Sequence, residues 1–388
     1  MDLVQPRGDQ NSPIYFIGHQ PSEQDEAKGT VFMDTQGWFL DKLIQEAGLG
    51  IPYLLTLQPS AKVKLPDQLC MDAIIALLDA KKPPLIVTCD SRREKGEKQI
   101  SDCLLNFCPE TKGDLGKYAG SLLHSPFVPY PHYVLPIVSS QYIFENYSEK
   151  DIVVSIDLAR VKEEVDWYEK HNRRIQPLPD RKLLTEPSYD ELMYWLLAEG
   201  HSAQYLATDI ETIRPHKDDR NASEKSKSKS AFKGHPGFPY TLSFASSPFS
   251  GVSFSYWDYE IEQLLKIWRE IDWLLSNIPQ IGQNYFMFDC IFKQAFGFRP
   301  CVERCEDTLI RHHILWPELP HSLQFQTRQY TRQPYYKDEG KQWSPKYKKS
   351  LMHYNCLDTV VDFECFLKQE EEFADRPHLK GDKSFYVR

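Results

Sequence analysis

Acidic side chains at three places in the second half of this 388-residue chain have the types and spacing for metal-assisted hydrolysis. Asp209 and Glu211 stand two apart in Tyr205-Leu206-Ala207-Thr208-Asp209-Ile210-Glu211-Thr212. That apolar run reads as a strand, whose residues i and i+2 share a face, so both acids aim at one point while Ile210 turns into the core. Asp289 ends Ile281-Gly282-Gln283-Asn284-Tyr285-Phe286-Met287-Phe288-Asp289, and Asp358 closes Tyr354-Asn355-Cys356-Leu357-Asp358. Each falls at the start or within the first turns of a helix, from which it can converge on the strand. Tyr354 lies one helical turn before Asp358 on the same side, placed to orient an attacking water with its hydroxyl. Such a carboxylate scaffold suits Mg²⁺ or Mn²⁺, hard ions that prefer oxygen and keep positions open for substrate. Two of them about 3.5–4 Å apart supply what phosphodiester hydrolysis requires: an activated water, neutralised transition-state charge and a stabilised leaving oxygen. An isolated Asp-x-Glu is usually solvated surface; the signal lies in the order of all three motifs.

The elements that must position these residues can be read from periodicity. Leu206–Ile210, Tyr240–Ala245 and Gly251–Phe254 read as strands, and Ile261–Leu275, Asp289–Ala295, Thr308–Leu315 and Lys348–Lys368 as helices. Tyr189–Leu197 is an amphipathic helix that opens this half. Three strands followed by helices around a mixed sheet is a ribonuclease-H-like order. Residues 214–237 form a polar, low-complexity insertion with a basic patch at Lys225, Lys227, Lys229 and Lys233; Lys346, Lys348 and Lys349 make another. In the first half, Ile14–Gly18, Leu85–Cys89 and Tyr133–Val138 are short apolar strands, while Gly37–Ala47 and Asp157–Lys170 have helical spacing. Alternating strands and helices predict an α/β domain with a largely parallel sheet. The expectation is therefore an α/β protein of two domains, residues 1–170 and 188–388. The proline- and charge-rich stretch 171–187 is the expected linker.

Bulk properties bound the reading. Apolar residues make up 41% of the chain, so it is globular. No apolar run approaches the ~20 residues of a membrane span, and the start lacks a signal peptide's apolar stretch, so a cytoplasmic protein without membrane contact is expected. Nine cysteines without a CxxC pair read as reduced thiols. The net charge of -9 does not exclude nucleic acid, because metal-bound carboxylates count toward it and phosphate contact depends on local basic patches.

The three acidic motifs, the last of them Tyr-x-x-x-Asp, resemble the DEDD 3′–5′ exonucleases of the tyrosine subclass. Cys305–Pro320 and Tyr330–Glu339 are similar to the segments between motifs in bacteriophage family A DNA polymerases, so the resemblance covers about residues 175–370. It implies that Asp209, Glu211 and Asp358 hold the catalytic metal, with Asp209 bridging to a second ion that Asp289 reaches through water. It also implies that Thr212 and Asn284 contact the terminal nucleotide, in a cleft where Tyr285 and Phe288 stack on bases. His312 and His313 have no place in this scheme and read as helix or core packing. The substrate implied is a DNA 3′ end, single-stranded or frayed, in a viral-type replication system in the host cytoplasm. The chain stops about thirty residues after Asp358, before any polymerase palm or fingers, so a DNA polymerase chain acting in trans is the expected partner.

In the first half, Gly18-His19-Gln20-Pro21 and the following Gly29-Thr30-Val31-Phe32 resemble the opening motif of iron–sulfur uracil-DNA glycosylases, over about residues 12–165. The departures fall on the chemistry. His19 stands where an acid would activate water, and Val138 in Ile137-Val138-Ser139-Ser140 replaces a histidine. The paired cysteines for a cluster are missing, so no iron–sulfur cluster is expected, and the domain reads as an inactive DNA-binding or docking module. Three functions therefore compete: a metal-dependent 3′–5′ exonuclease, a non-catalytic DNA-binding or processivity subunit with a vestigial nuclease site, and an active uracil glycosylase, which His19 and Val138 disfavour.

Overall fold

The computed structural model describes residues 4–93, 98–139, 150–212, 239–287, 289–338 and 348–379. The insertion at 214–237 with its basic patch, Phe288, Ser140 and Lys346 lie outside the described residues. The chain forms two compact units, one of residues 1–178 with 332–335 and the other of residues 179–331 with 336–388.

In the first unit, strands β1 (Arg7–Gly8), β2 (Ile14–Gly18), β3 (Tyr53–Thr56) and β4 (Leu85–Thr88) precede a small hairpin of β5 (Arg92–Arg93) and β6 (Gln99–Ile100), then β7 (Tyr133–Pro136). The main sheet runs β1-β3-β2-β4-β7, parallel throughout except for β1 on the edge. Its parallel strands are buried on both faces, as a parallel sheet between helices must be. Along β2 the side chains alternate: Ile14 and Phe16 pack with α2 (Thr35–Glu46) and α6 (Lys150–Lys170). Tyr15 and Ile17 pack with α3 (Asp67–Lys81) and α4 (Asp102–Phe107). The short helices α1 (Glu23–Lys28) and α5 (Leu115–Tyr118) complete the unit. Helix α6 begins at Lys150, seven residues before the sequence expectation. Glu164 on α6, 5% exposed, takes a bidentate ion pair from Arg332 at 2.7 and 2.8 Å.

In the second unit the sheet order is β13-β12-β9-β10-β11-β8. Strands β9 (Leu206–Thr212), β10 (Pro239–Ser247) and β11 (Ser250–Phe254) form an antiparallel meander. Strand β12 (Gln280–Gly282) lies parallel beside β9, β13 (Glu306–Asp307) parallel beside β12, and β8 (Lys182–Thr185) parallel beside β11. Without β8 this is the ribonuclease-H-like order. The expectation of a linker over 171–187 is corrected here, because Lys182–Thr185 pairs from Ser250 to Ser253 and belongs to the sheet.

The period of two divides this sheet's side chains as well. Leu206, Leu242, Phe244, Val252 and Phe254 face α7 (Tyr189–Trp195) and α8 (Ile261–Asn277). Ala207 and Ala245 face α12 (Lys348–Asp375), the long closing helix, through Leu357, Val360 and Val361. Small residues are required there. A Cβ on Gly251 would lie 2.8 Å from Val360 Cγ1 and 3.1 Å from Cys356 Sγ, so α12 rests directly on the sheet. Helices α9 (Asp289–Ala295), α10 (Thr308–Leu315) and α11 (Leu323–Tyr330) fill the connections. Buried Arg311 of α10 meets Glu306 at 2.8 Å and Gln369 of α12 at 3.2 Å. Among the described residues no helix is long and apolar enough to cross a membrane.

Candidate active site

The site is built where β9 passes under α12. Asp209 is paired with Ser243 and Glu211 with Thr241 across β10, which sets both acids on the α12 face while Ile210, 5% exposed, faces away. Asn355 fastens the two elements together. Its amide Nδ2 donates to Asp209 Oδ2 at 2.7 Å, while its Oδ1 accepts from Thr241 and Ser253 hydroxyls, each at 3.1 Å. Ser243 donates to the Asn355 carbonyl at 3.0 Å. This buried network fixes the rotamer of Asp209 and the azimuth of α12, which in turn carries Tyr354 and Asp358.

Asp358 is buried and paired through one oxygen. Its Oδ1 accepts from the Tyr336 hydroxyl at 2.5 Å and from Lys337 Nζ at 2.5 Å. Lys337 also reaches the Tyr354 hydroxyl at 3.4 Å, so the tyrosine and the aspartate share one ammonium. Burial, with Asp358, Asp209 and Glu211 nearby, holds the Tyr354 phenol well above its usual range, keeping it a neutral donor. The Asp209 carboxyl is pushed up to about 6 by burial and by Asp358, against the opposing pull of Lys337 and Asn355.

Asp289, at the start of α9, is 2% exposed, and neither of its oxygens has a hydrogen-bond partner among the described residues. Burial holds its carboxyl well above the usual range; Lys293 opposes this, and Asp209, Asp362 and Asp307 add to it. Lys293, itself buried and with its pKa lowered by burial, donates to Thr208 on β9. A buried carboxylate without a hydrogen-bond partner, set among other acids, is a position that a hard cation would suit. Carboxylate oxygens are hard donors, the type that fits Mg²⁺ or Mn²⁺. Even so, among the described residues no three His, Cys, Asp or Glu side chains are gathered closely enough to hold an ion. Lys337 and Tyr336 both contact Oδ1 of Asp358, and Asn355 occupies one oxygen of Asp209.

The residues expected to touch substrate divide. Asn284 is exposed in a left-handed turn (φ 58°), with its backbone N–H on Asp307 Oδ1 at 3.1 Å. Thr212 is the last residue of β9. Tyr285 is corrected: it is 0% exposed, its hydroxyl donates to Gln280 Oε1 at 2.8 Å, and it packs against Cys290 and Cys305, so it cannot stack on a base. His312 is buried in α10, its ring nitrogens 2.8 Å from His321 and 2.9 Å from Gln329.

Sequence reading missed Asn355, Tyr336, Lys337 and Asp362. Asp362 stands one helical turn after Asp358, 3% exposed, with Thr308 Oγ1 2.6 Å from its Oδ1. Its i, i+4 spacing from Asp358 was the available signal, as was the place of Asn355 inside the last motif.

The first unit has a separate cleft of about 560 Å³ beyond the carboxyl ends of β2, β3 and β4, lined among others by His19, Phe32, Asp90, Arg92, Asp102 and Ser139. His19 lies 3.9 Å from both Asp67 and Asp102, and its Nε2 is buried without a hydrogen bond among the described residues. Val138 is partly buried and packs into the core. All nine cysteines are free thiols.

No family model matches this chain. No curated protein matches it either. Among solved structures, it is similar to the EXO domain of Nibbler from Aedes aegypti, at 10% identity and a TM-score of 0.38, over 53% of this chain and 97% of that one. It is similar to the POL domain of Pol1 from M. smegmatis, in complex with a DNA primer-template and dNTP, at 12% identity and a TM-score of 0.33, over 51% of this chain and 28% of that one. It is also similar to the EXD2 exonuclease domain, at 14% identity and a TM-score of 0.23, over 52% and 96%.

Proposed function

We propose that the second unit is a divalent-metal-dependent 3′–5′ DNA exonuclease of the DEDD tyrosine subclass, which trims or proofreads DNA ends beside a separate polymerase in a viral-type replication system. The observation that carries this reading is the clasp between Asp209 on the central strand and Asn355 on α12 at 2.7 Å. It sets Asp209 electrostatically against Asp358 and Asp289.

Asp209, Glu211, Asp289 and Asp358 would hold two Mg²⁺ or Mn²⁺ ions. When bound, these ions lower the pKa of water and stabilise the leaving 3′ oxygen. The chain's own groups do the rest. Tyr354, kept neutral by its surroundings, donates a hydrogen bond that orients the attacking water. Asn355 holds Asp209 in one rotamer, which avoids reorganisation when charge develops. Asn284 and Thr212 bind the terminal nucleotide. Tyr285 has no such role.

Lys337 seated on Asp358 favours a second reading, a DNA-binding subunit whose nuclease centre is closed by an internal cation. A labelled single-stranded oligonucleotide, incubated with and without Mg²⁺ and with phosphorothioates at one end or the other, separates the two. Release of mononucleotides, stopped by a 3′ block, supports the nuclease. Strand binding without cleavage supports the subunit, and arrest by a 5′ block refutes the polarity.

For the first unit we propose a uracil-DNA-glycosylase-like fold without that activity, used for DNA binding or docking. The parallel strand order and the polar cleft at the strand ends support the fold; His19 and Val138 stand where the resemblance requires an acid and a histidine.

A further inference from the structure

We propose that Lys337 is an exchangeable occupant of the metal centre: it neutralises Asp358 until a divalent cation arrives, then transfers its charge to the phosphate of the terminal nucleotide. This rests on the nuclease reading above. The ammonium sits in a pocket of acids and rings. It lies 2.5 Å from Asp358 Oδ1, 3.4 Å from the Tyr354 hydroxyl, and 5.0 and 5.1 Å from the ring centres of Tyr336 and Tyr354. It also offsets the charge that Asp358 imposes on Asp209. Its side chain is 16% exposed and that of Asp358 is 9% exposed, so this is a desolvated pair rather than a surface contact.

A lysine suits exchange better than an arginine would. Its charge is a compact point on a flexible four-carbon stem, and it makes no planar bidentate fork to hold it in place. The Tyr336 hydroxyl, 2.5 Å from the same oxygen, keeps Asp358 in position while the ammonium leaves. A dication and an ammonium on one carboxylate repel each other. The freed ammonium stays tethered beside Tyr354, where the attacked phosphate must come if Tyr354 orients the water. Lysine is a natural point-charge partner for phosphate oxygens.

The test uses the full chain with Lys337→Met, which keeps length and apolar stem, Lys337→Gln as a second neutral variant, and Lys337→Arg as the charge-retaining control. Mn²⁺ alone, titrated without nucleic acid and followed by the spectrum of free Mn²⁺, should bind the neutral variants roughly three- to tenfold more tightly than wild type, because one like charge has gone. Binding of a 3′-hydroxyl oligonucleotide in Ca²⁺ should weaken, and the slope of log affinity against log salt should fall by about 0.7, the loss of one phosphate contact on a single strand. Lys337→Arg should keep the wild-type slope. Unchanged or weaker Mn²⁺ binding in the neutral variants, or an unchanged salt slope, overturns the proposal. So does failure of both neutral variants to fold in EDTA, which would make Lys337 a permanent structural cation. If wild type itself neither binds Mn²⁺ nor degrades DNA, the nuclease reading falls and takes this one with it. If wild type cleaves while the variants bind Mn²⁺ as it does, only the exchange is wrong.

Discussion

Asp362→Asn should stabilise this protein at alkaline pH and do little in mild acid. Asp362 is 3% exposed on α12, and burial holds its carboxyl up at about 8, with Asp307, Asp209 and Asp358 adding to the rise and the Thr308 hydroxyl opposing it. In the unfolded chain the same group titrates near ~3.9. Between those values the folded state keeps a proton that the unfolded state gives up. Stability from this group is therefore fully present below pH ~4 and is lost as pH rises toward 8. About four units at ~1.36 kcal/mol each give on the order of 5 kcal/mol at pH 8. Relaxation around the ionised side chain brings the expected gain from substitution to about 2–5 kcal/mol. Asparagine keeps the size of the protonated acid and still accepts from Thr308, 2.6 Å away. The assay is urea unfolding followed by tryptophan fluorescence, in EDTA, at pH 5, 6.5 and 8. The difference between variant and wild type should be smallest at pH 5 and largest at pH 8. A variant less stable at pH 8, or a difference flat with pH, would refute the electrostatic reasoning.

Other expectations follow from the same contacts. On the proposed roles, Tyr354→Phe removes a water-orienting hydroxyl and should slow single-turnover cleavage by about 10²-fold at most, whereas Asp358→Ala removes a proposed metal ligand and should cost more; equal losses would count against those roles. Glu164→Ala leaves the Arg332 guanidinium without its bidentate partner and should destabilise by about 3–5 kcal/mol in urea unfolding. A cost under ~1 kcal/mol would mean that the pair behaves as a surface contact. A uracil-bearing strand should release no free uracil, measured by chromatography; release that disappears in His19→Ala would restore the glycosylase reading.

Most of the elements were legible because their periodicities are strong. The alternation along β9 and β10 and the spacing of α8 each match a buried face. Strand β8 was not legible: Lys182–Thr185 is four residues long, starts with an exposed lysine and is only half buried, so its charge and flanking prolines read as linker. Tyr285 was misread because nothing in its neighbourhood tells a stacking ring from a core ring. The left-handed turn at Asn284 exposes one residue and buries the next, and that choice is made by Asp307, more than twenty residues away. The acids themselves were visible as motifs. Their partners Asn355, Lys337 and Tyr336 were not, because pairing across 146 residues or from a separate loop is a tertiary fact.

The central claim, that the acids on β9, α9 and α12 cut phosphodiesters with divalent cations, meets its most direct test in one measurement. A 5′-labelled single strand is incubated with wild type and with Asp209→Ala, in Mg²⁺, in Mn²⁺ and in excess EDTA, after thermal melting has shown that both proteins fold. The account predicts a ladder shortening from the 3′ end with either metal for wild type alone, and intact strand in EDTA and with Asp209→Ala. Digestion in EDTA, or by Asp209→Ala at the wild-type rate, would contradict it.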